Sequence, residues 1–163
     1  MMKKYILGLF ACLAMVAFVS CGDDDDATPI HHDTTPEIAT AGIYSGMCHI
    51  EWSDKQGDHE ADNAGSFTFS PTETTGISSL KIQCPDMSLV VDIPSVNVWY
   101  AGQGFQFSIT GTASVNGTNQ NLKIYGRCDD GVTLTSAFVV NVKVGRSTTS
   151  YKYNFEGIKA VLD

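Results

Sequence analysis

Basic residues are scarce in this sequence, which has 10 lysines and arginines against 18 aspartates and glutamates in 163 residues. Two of the bases, Lys3 and Lys4, precede the first acid. Without residues 1–20, eight basic side chains remain against 18 acidic ones, a net charge of −10. Because a surface this acidic repels phosphate groups and anionic lipid head groups, the composition argues against a nucleic-acid partner and against electrostatic attachment to a membrane.

Long apolar runs are scarce as well, and the only one covers residues 5–19. Its 15 residues fall short of the roughly 20 that a helix needs to span a bilayer. The positively charged residues before it and the small residue Ser20 after it are typical of a secretory signal peptide. We therefore predict that residues 1–20 are a signal peptide and that no other segment crosses a membrane.

A cysteine directly follows the apolar run, in the sequence Phe18-Val19-Ser20-Cys21. This motif resembles the lipobox of bacterial lipoproteins, in which the cysteine is acylated on sulfur and becomes the new N-terminus. The alternatives are an ordinary secretory peptide with an incidental cysteine, or an uncleaved anchor. Since each buried CH₂ group contributes about 0.8 kcal/mol, a multiply acylated Cys21 would hold the chain at a membrane permanently.

Residues 21–40 are predicted to be a lipidated acidic tether and linker. Four adjacent aspartates at 23–26 repel one another and stay solvated. They resemble the acidic surface-export signal of Bacteroidetes lipoproteins, which implies display on the outer face of the outer membrane, with the periplasmic leaflet as the alternative. Residues 27–40 contain two prolines and several threonines, a composition typical of linkers. His31 and His32 have no ligand partner at metal-binding spacing.

No segment carries an apolar stripe of three helical turns, which argues against a helical domain. Residues 41–163 instead contain about eight short runs in which apolar and polar residues alternate, separated by turn residues. Asn116-Gly117 is a strong hairpin signal, and Pro94 predicts an edge, bulge or bend. The alternation places one set of large aromatic side chains inward: Tyr44, Phe67, Phe69, Phe105, Phe107, Phe138, Tyr153 and Phe155.

One buried and one solvated face per strand suits an antiparallel sheet. Eight such strands can close into an up-and-down barrel or stack as a β-sandwich. Closure would remove the exposed edges of the sheet. Periodicity alone leaves both architectures open.

Several segments together resemble the calycin-like, or lipocalin-like, β-barrel domain of Bacteroidetes lipoproteins. They are Gly42-Ile43-Tyr44-Ser45-Gly46 at the start of the domain, Leu80-Lys81-Ile82, the Asn116-Gly117 hairpin before Asn121-Leu122-Lys123-Ile124, and the closing aromatic strand. The resemblance covers residues 41–163 and implies an all-β, antiparallel, eight-stranded up-and-down barrel. Gly42-x-Tyr44 is similar to the Gly-x-Trp that opens lipocalins, with tyrosine in place of tryptophan.

The domain contains three cysteines, Cys48, Cys84 and Cys128, and an odd number leaves at least one thiol free. By alternation all three point inward. In a simple meander Cys84 and Cys128 lie at opposite ends of a barrel and Cys48 lies mid-strand, so no pair is expected to meet the spacing of a disulfide. Buried thiols are the favoured interpretation, and one disulfide is the alternative.

Catalytic signatures are missing too: the sequence has no Gly-x-Ser-x-Gly elbow, no phosphate-binding glycine loop and no His-Glu-x-x-His helix. Asp58, Glu60 and Asp62 alternate in an acidic segment at 54–63, but this segment lacks the glycine and the distal glutamate of an EF-hand loop. It is predicted to be a solvated loop. We therefore predict no enzymatic activity, no cofactor and no metal.

The remaining hypothesis is a non-enzymatic binding module for a small apolar ligand at the barrel mouth or for an extracellular partner at the loops. Trp52, Trp99 and Tyr100 are the predicted ligand contacts. The inward aromatics predict a mostly filled interior. An inhibitor of secreted proteases and an accessory subunit of a surface complex are the alternatives. A pocket of about 300 Å³ would favour the binding module. A protruding ordered loop would favour the inhibitor, and a large apolar patch would favour the accessory subunit.

Overall fold

A short helix and eight long strands make up the fold. The computed structural model describes residues 32–161, apart from the side chain of Val144. The predicted signal peptide, Cys21 and the acidic run at 23–26 lie outside the described residues. The elements are α1 (Pro36–Thr40), β1 (Gly42–Asp54), β2 (Gly57–Pro71), β3 (Ile77–Cys84), a three-ten helix (Pro85–Met87), β4 (Leu89–Ala101), β5 (Gly104–Val115), β6 (Thr118–Cys128), β7 (Thr133–Val144) and β8 (Ser147–Lys159).

Each strand pairs antiparallel with the next, and β1 pairs antiparallel with β8, so the sheet closes into a barrel. The predicted eight-stranded up-and-down barrel is confirmed, and the alternative of a β-sandwich is wrong. Because the strands alternate in direction, the β1–β2, β3–β4, β5–β6 and β7–β8 turns lie at one end, here called the upper end. The other three turns, α1 and the end of β8 lie at the lower end.

Side chains fill the barrel interior, as the inward aromatics predict. All eight of these aromatics are buried and belong to one continuous apolar cluster. Phe67 lies at its centre, with ring centroids 4.3 Å from Phe155, 6.1 Å from Phe138 and 6.4 Å from Phe107. Since an aromatic side chain of this kind buries about 150–250 Å², this cluster dominates the stability of the barrel.

Two inward-facing glycines make room for these rings. A Cβ atom added to Gly126 would lie 2.2 Å from the ring of Phe107, and one added to Gly157 would lie 2.3 Å from the ring of Phe155. Both separations are far below van der Waals contact. The aromatic rings therefore occupy the space that side chains at these two wall positions would take.

Helix α1 is fastened to the lower end of the barrel by two long side chains. The hydroxyl of Tyr44 donates a hydrogen bond to the carbonyl oxygen of Thr40 at 3.2 Å. The Nζ of Lys159 donates to the carbonyl oxygen of Ala39 at 2.8 Å. The sequence predicts that the domain starts at Ala41. The chain already packs against the barrel before that residue.

A buried glutamate in α1 joins the helix to the β2–β3 turn. The backbone N–H of Gly76 donates to Glu37 Oε2 at 2.7 Å, and the hydroxyl of Thr35 donates to Oε1. These hydrogen bonds, that of Thr35 first, hold the pKa of Glu37 below its usual value because they stabilise the ionised carboxylate. The sequence offers no apolar pattern here, so the predicted linker extended through these residues.

The bulge at Pro94 is confirmed. The register between β4 and β5 shifts between Asp92 and Asn97, so that Pro94 lies in an unpaired stretch of β4 on that side. Proline has no N–H to donate to a neighbouring strand, which explains why the ladder is interrupted where it stands.

The Asn116-Gly117 turn is also confirmed. Asn116 and Gly117 have φ values of 50° and 78°, the positive values that a type I′ hairpin turn requires. Asn116 Oδ1 in addition accepts a hydrogen bond from the backbone N–H of Val90 at 2.7 Å. The side chain therefore joins the β5–β6 hairpin to the neighbouring strand β4.

Replacing Asn116 with alanine should lower the free energy of unfolding by about 1–2 kcal/mol, because alanine disfavours the left-handed conformation and lacks the acceptor for Val90. Asn116→Gly keeps the conformation and should cost less than Asn116→Ala. The exposed Asn119 provides the control, since Asn119→Ala should change stability by less than about 0.5 kcal/mol. Urea unfolding measures all three, and equal midpoints for the two alanine variants would contradict the assignment.

Candidate functional site: the upper end of the barrel

The longest hairpin of the barrel ends at the upper end. The β1–β2 ladder runs without interruption from Gly42↔Phe69 to Asp54↔Gly57, and only Lys55 and Gln56 form the turn. The prediction of an acidic loop at 54–63 is therefore wrong. The acids at 58, 60 and 62 do alternate with other residues, but those residues are also mostly polar, so hydropathy does not reveal the strand.

The upper part of β2 has a strand on one side only. Its pairing with β3 is confined to Ser66–Pro71, while its pairing with β1 continues to Gly57. Among the residues that the structure describes, no strand pairs with the other side of residues 57–64. We call this segment the β2 edge.

An aromatic cluster lies beside the hairpin. The indole of Trp52 stacks on the imidazole of His59 with a centroid distance of 5.1 Å and packs against Tyr151 at 5.5 Å. Asp54 Oδ1 lies 2.9 Å from His59 Nε2 and fixes the imidazole orientation, and this hydrogen bond is the main reason that the pKa of Asp54 is lowered. A cleft of about 780 Å³ surrounds Trp52, and carboxylates, hydroxyls and the ammonium of Lys152 line its remainder.

The outward face of the hairpin carries a charged cluster centred on His49. His49 Nδ1 lies 2.8 Å from Asp62 Oδ1, and His49 Nε2 lies 3.6 Å from Glu51 Oε1. Lys152 Nζ approaches Glu51 at 3.8 Å. The hydrogen bond to Asp62, followed by the negative charges of Asp62, Glu51 and Glu60, raises the pKa of His49 above its usual value.

NMR titration should therefore show His49 losing its proton above the usual pKa of about 6.5. A raised pKa means that the contribution of His49 to stability is complete below about 6.5 and is lost as the pH rises through the folded value. Asp62→Asn should move the pKa of His49 down towards 6.5. Asp92→Asn, on β4, removes an equal charge elsewhere and should leave it unchanged. If Asp62→Asn leaves the pKa of His49 unchanged, the result would contradict the hydrogen bond between His49 and Asp62.

The three predicted ligand contacts do not form one site. Trp52 lies at the upper end, whereas Trp99 and Tyr100 lie near the end of β4 at the lower end. The ring of Tyr100 stacks on His32 with a centroid distance of 3.5 Å, and its hydroxyl donates to the carbonyl oxygen of Thr34. Tyr100 thus holds the first described residues against the barrel, while Trp99 is 38% exposed on the outer wall.

The three cysteines are buried thiols, which confirms the favoured interpretation over a disulfide. Cys48 and Cys84 nevertheless lie closer together than the meander predicts, since the Cys84 thiol contributes to the raised pKa of Cys48. They can meet because Gly65, on the strand between them, has no side chain, and a Cβ there would lie 2.7 Å from Cys48 Sγ. Burial, and then Cys84, raises the pKa of the Cys48 thiol to about 12, which makes it unreactive.

A second cleft, of about 600 Å³, crosses the outer wall over β1, β8, β7 and β6. Met47 and Tyr125, both half exposed, supply its apolar surface. The charged side chains of Asp62, Arg127 and Glu156 lie around them. Of the residues that line this cleft, Ser136 and Phe155 are buried, and the others lie at the outer surface beside the hairpin.

Comparison with protein-family models, curated proteins and solved structures finds no match to this chain. The fold itself defines the class of protein, a closed eight-stranded up-and-down antiparallel β-barrel. Within residues 32–161, no helix is long and apolar enough to cross a bilayer. In the same range, no three histidine, cysteine, aspartate or glutamate side chains are arranged to hold a metal ion.

Proposed function

We propose that this chain is a calycin-like β-barrel lipoprotein, anchored in the outer membrane through a lipid on Cys21 and displayed at the cell surface, where it acts as a non-enzymatic binding module for an extracellular partner. The observation that carries the proposal is the β1–β2 hairpin, which presents an open strand edge beside the Trp52 cleft at the upper end. The acidic outer surface and the absence of catalytic signatures in the sequence support a binding role.

The position of the tether supports this orientation. The first described residue, His32, is held at the lower end by its stacking on Tyr100. Ten residues, 22–31, lie between it and Cys21, so the two residues are at most about 40 Å apart when the chain is fully extended. A lipid on Cys21 would therefore keep the lower end within about 40 Å of the membrane, which allows the hairpin at the upper end to point away from it.

The filled interior favours one of the two kinds of ligand that the sequence leaves open. Phe67 and the other inward aromatics occupy the space in which a barrel of eight strands would hold a small apolar molecule. The accessible clefts lie instead at the upper end and on the outer wall. This arrangement favours a macromolecular partner that docks on the outside of the barrel.

The ordered β1–β2 hairpin, which extends beyond the end of β3, also supports a second candidate, an inhibitor of secreted proteases. Such an inhibitor inserts one rigid segment into an active site, and the uninterrupted β1–β2 ladder makes this hairpin rigid up to Lys55 and Gln56. Inhibition of a panel of secreted proteases by the intact chain would favour this candidate. Cleavage of the hairpin without inhibition would eliminate it.

The tether and its location are tested in cells that express the chain. Labelled palmitate should enter the protein and should be lost in Cys21→Ser. Protease added to intact cells should remove the barrel if it is displayed at the surface. Protection from the protease until the outer membrane is permeabilised would instead place the barrel on the periplasmic leaflet and contradict surface display.

The binding role is tested by photocrosslinking on intact cells. The photoreactive amino acid p-benzoylphenylalanine replaces either Lys55, at the tip of the hairpin, or Glu73, in a lower-end turn. We expect a discrete crosslinked partner from position 55 and none from position 73. Crosslinks of equal yield from both positions, or none from either, would contradict a binding site at the upper end.

A further inference from the structure

We propose that the β2 edge, residues 57–64, binds an extended basic segment of a partner protein as an additional β-strand. The inference rests on the proposed binding function and specifies how the partner is recognised. It depends on three observations: the direction of the backbone groups along the edge, the charge of its side chains, and the features that exclude this chain itself as the occupant.

Every second residue of the β2 edge points its backbone hydrogen-bonding groups away from β1. Lower in the barrel, the N–H of Thr72 donates to the carbonyl oxygen of Ile77 at 3.3 Å, towards β3. In an antiparallel ladder, residues that bond one neighbour alternate with residues that bond the other. With the same period of two, Asp58, Glu60 and Asp62 direct their N–H and C=O groups to the side where the described residues provide no strand.

The side chains along the edge select a basic partner. Asp58, Glu60 and Asp62 point to the outer face, and Asp62 is 68% exposed. His59 and Ala61 point to the inner face, on the side of Trp52. An added strand places its own side chains on the same two faces, so lysine or arginine at alternate positions would oppose the acids. Residues between them would face the inner side and should be apolar or hydroxyl-bearing.

Neither a second copy nor the tether of this chain fits the edge. Two copies paired edge to edge would oppose Asp58, Glu60 and Asp62 with the same acids, and like charges directly opposite one another destabilise strand pairing. The tether contains four further aspartates at 23–26 and joins the barrel at the lower end. Charge and position therefore both favour a basic segment from another protein.

The edge also lacks the usual protections against strand addition. Natural edge strands carry lysine, proline or a bulge, but residues 57–64 contain neither lysine nor proline, and their register with β1 shows no bulge. Within the segment itself the acids are the only such feature, and the three-ten helix Pro85–Met87 contacts β2 where β3 ends. The acids repel another copy of the same acidic edge and attract a basic strand, so a single set of charges prevents self-association and selects the partner.

Fluorescence anisotropy tests the proposal with the full mature lipoprotein in micelles of a neutral detergent. The probe is a labelled, end-capped peptide of sequence Lys-Val-Lys-Thr-Lys-Val-Lys-Thr. The control peptide carries glutamate in place of lysine. We expect saturable binding of the lysine peptide, at least tenfold weaker binding of the glutamate peptide, and weaker binding of the lysine peptide in about 1 M salt, where the screening length falls to about 3 Å.

Variants of Glu60 separate the contribution of the backbone hydrogen bond to peptide binding from the contribution of the side-chain charge. Glu60→Pro removes one outward N–H and leaves the bonds between β1 and β2 in place, so it should weaken peptide binding at least tenfold. Glu60→Gln removes only the charge and should weaken binding about two- to fivefold. Glu73→Gln, at the lower end, makes the same change in net charge and should have no effect. Circular dichroism melting establishes that each variant is folded.

Strand addition is wrong if a folded Glu60→Pro binds the lysine peptide as tightly as the unmodified chain, or if sedimentation shows that the chain dimerises through this edge. If Glu60→Pro does not fold, a triple variant, Asp58→Asn with Glu60→Gln and Asp62→Asn, decides the matter, because it should lose the preference for lysine over glutamate. Crosslinking from Lys55 is independent of these results. A crosslinked partner that persists with Glu60→Pro would preserve the proposed function and eliminate strand addition.

Discussion

Gly46→Ala is expected to lower the free energy of unfolding by about 3–5 kcal/mol, a large part of the 5–15 kcal/mol that typically stabilises a single domain. Gly46 on β1 pairs with Gly157 on β8, at the seam that closes the barrel. A Cβ on Gly46 would lie 1.9 Å from the carbonyl oxygen of Glu156 and 2.4 Å from the Cα of Gly157. Because both atoms belong to the backbone, the strand itself would have to move.

The matched control for this substitution is Gly111, which also lies within a strand. An added Cβ there would have no neighbouring atom within 4 Å, and its φ is not positive. Gly111→Ala should therefore leave stability unchanged or raise it by up to about 1 kcal/mol, because alanine has less conformational freedom in the unfolded chain. Urea unfolding followed by tryptophan fluorescence compares the two. Similar midpoints would show that the strands are not closely apposed at Gly46.

Phe67→Ala is expected to have a comparable effect, a loss of about 3–5 kcal/mol. Phe67 is fully buried and lies against three other rings of the interior, so the truncation removes both its own burial and contacts of its neighbours. Phe67→Leu retains most of the volume and should cost less than about 2 kcal/mol. Differential scanning calorimetry and urea unfolding measure both variants.

An exposed aromatic residue provides the comparison. Tyr125, on β6, is 47% exposed, and Tyr125→Ala should change stability by less than about 0.5 kcal/mol. The ratio between the two effects tests whether the interior is packed. A Phe67→Ala variant as stable as Tyr125→Ala would mean that the barrel has spare internal volume, and a small apolar ligand in the interior would again become the better hypothesis.

The inward face of nearly every strand could be predicted from the sequence. Tyr44, Cys48 and Ile50 on β1 are buried as alternation predicts, and so are Phe105 and Phe107 on β5. Turn chemistry was equally informative, since the Asn116-Gly117 hairpin requires two positive φ values that these residues adopt readily. Both signals are local, because they depend on the neighbours of a residue along its own strand.

The candidate site was much less predictable. Trp52 could be chosen as a large aromatic residue at the end of a strand, but the same reasoning chose Trp99 and Tyr100, which lie at the other end of the barrel. The sequence did not reveal that residues 57–64 form a strand, because both faces of this segment are mostly polar. The sequence did not reveal the proximity of Cys48 to Cys84, because it crosses an intervening strand and depends on the missing side chain of Gly65.

The amino-acid sequence by itself determined which side chains are buried, where the hairpins turn and how acidic the outer surface is, since burial by alternation, turn conformation and net charge are properties of single residues and their chain neighbours. Tertiary structure alone decided that β1 closes against β8, how the inward rings pack against one another, and that the β2 edge extends beyond β3. These features depend on the relative lengths and registers of strands that are distant in the chain, and no local pattern of residues specifies them.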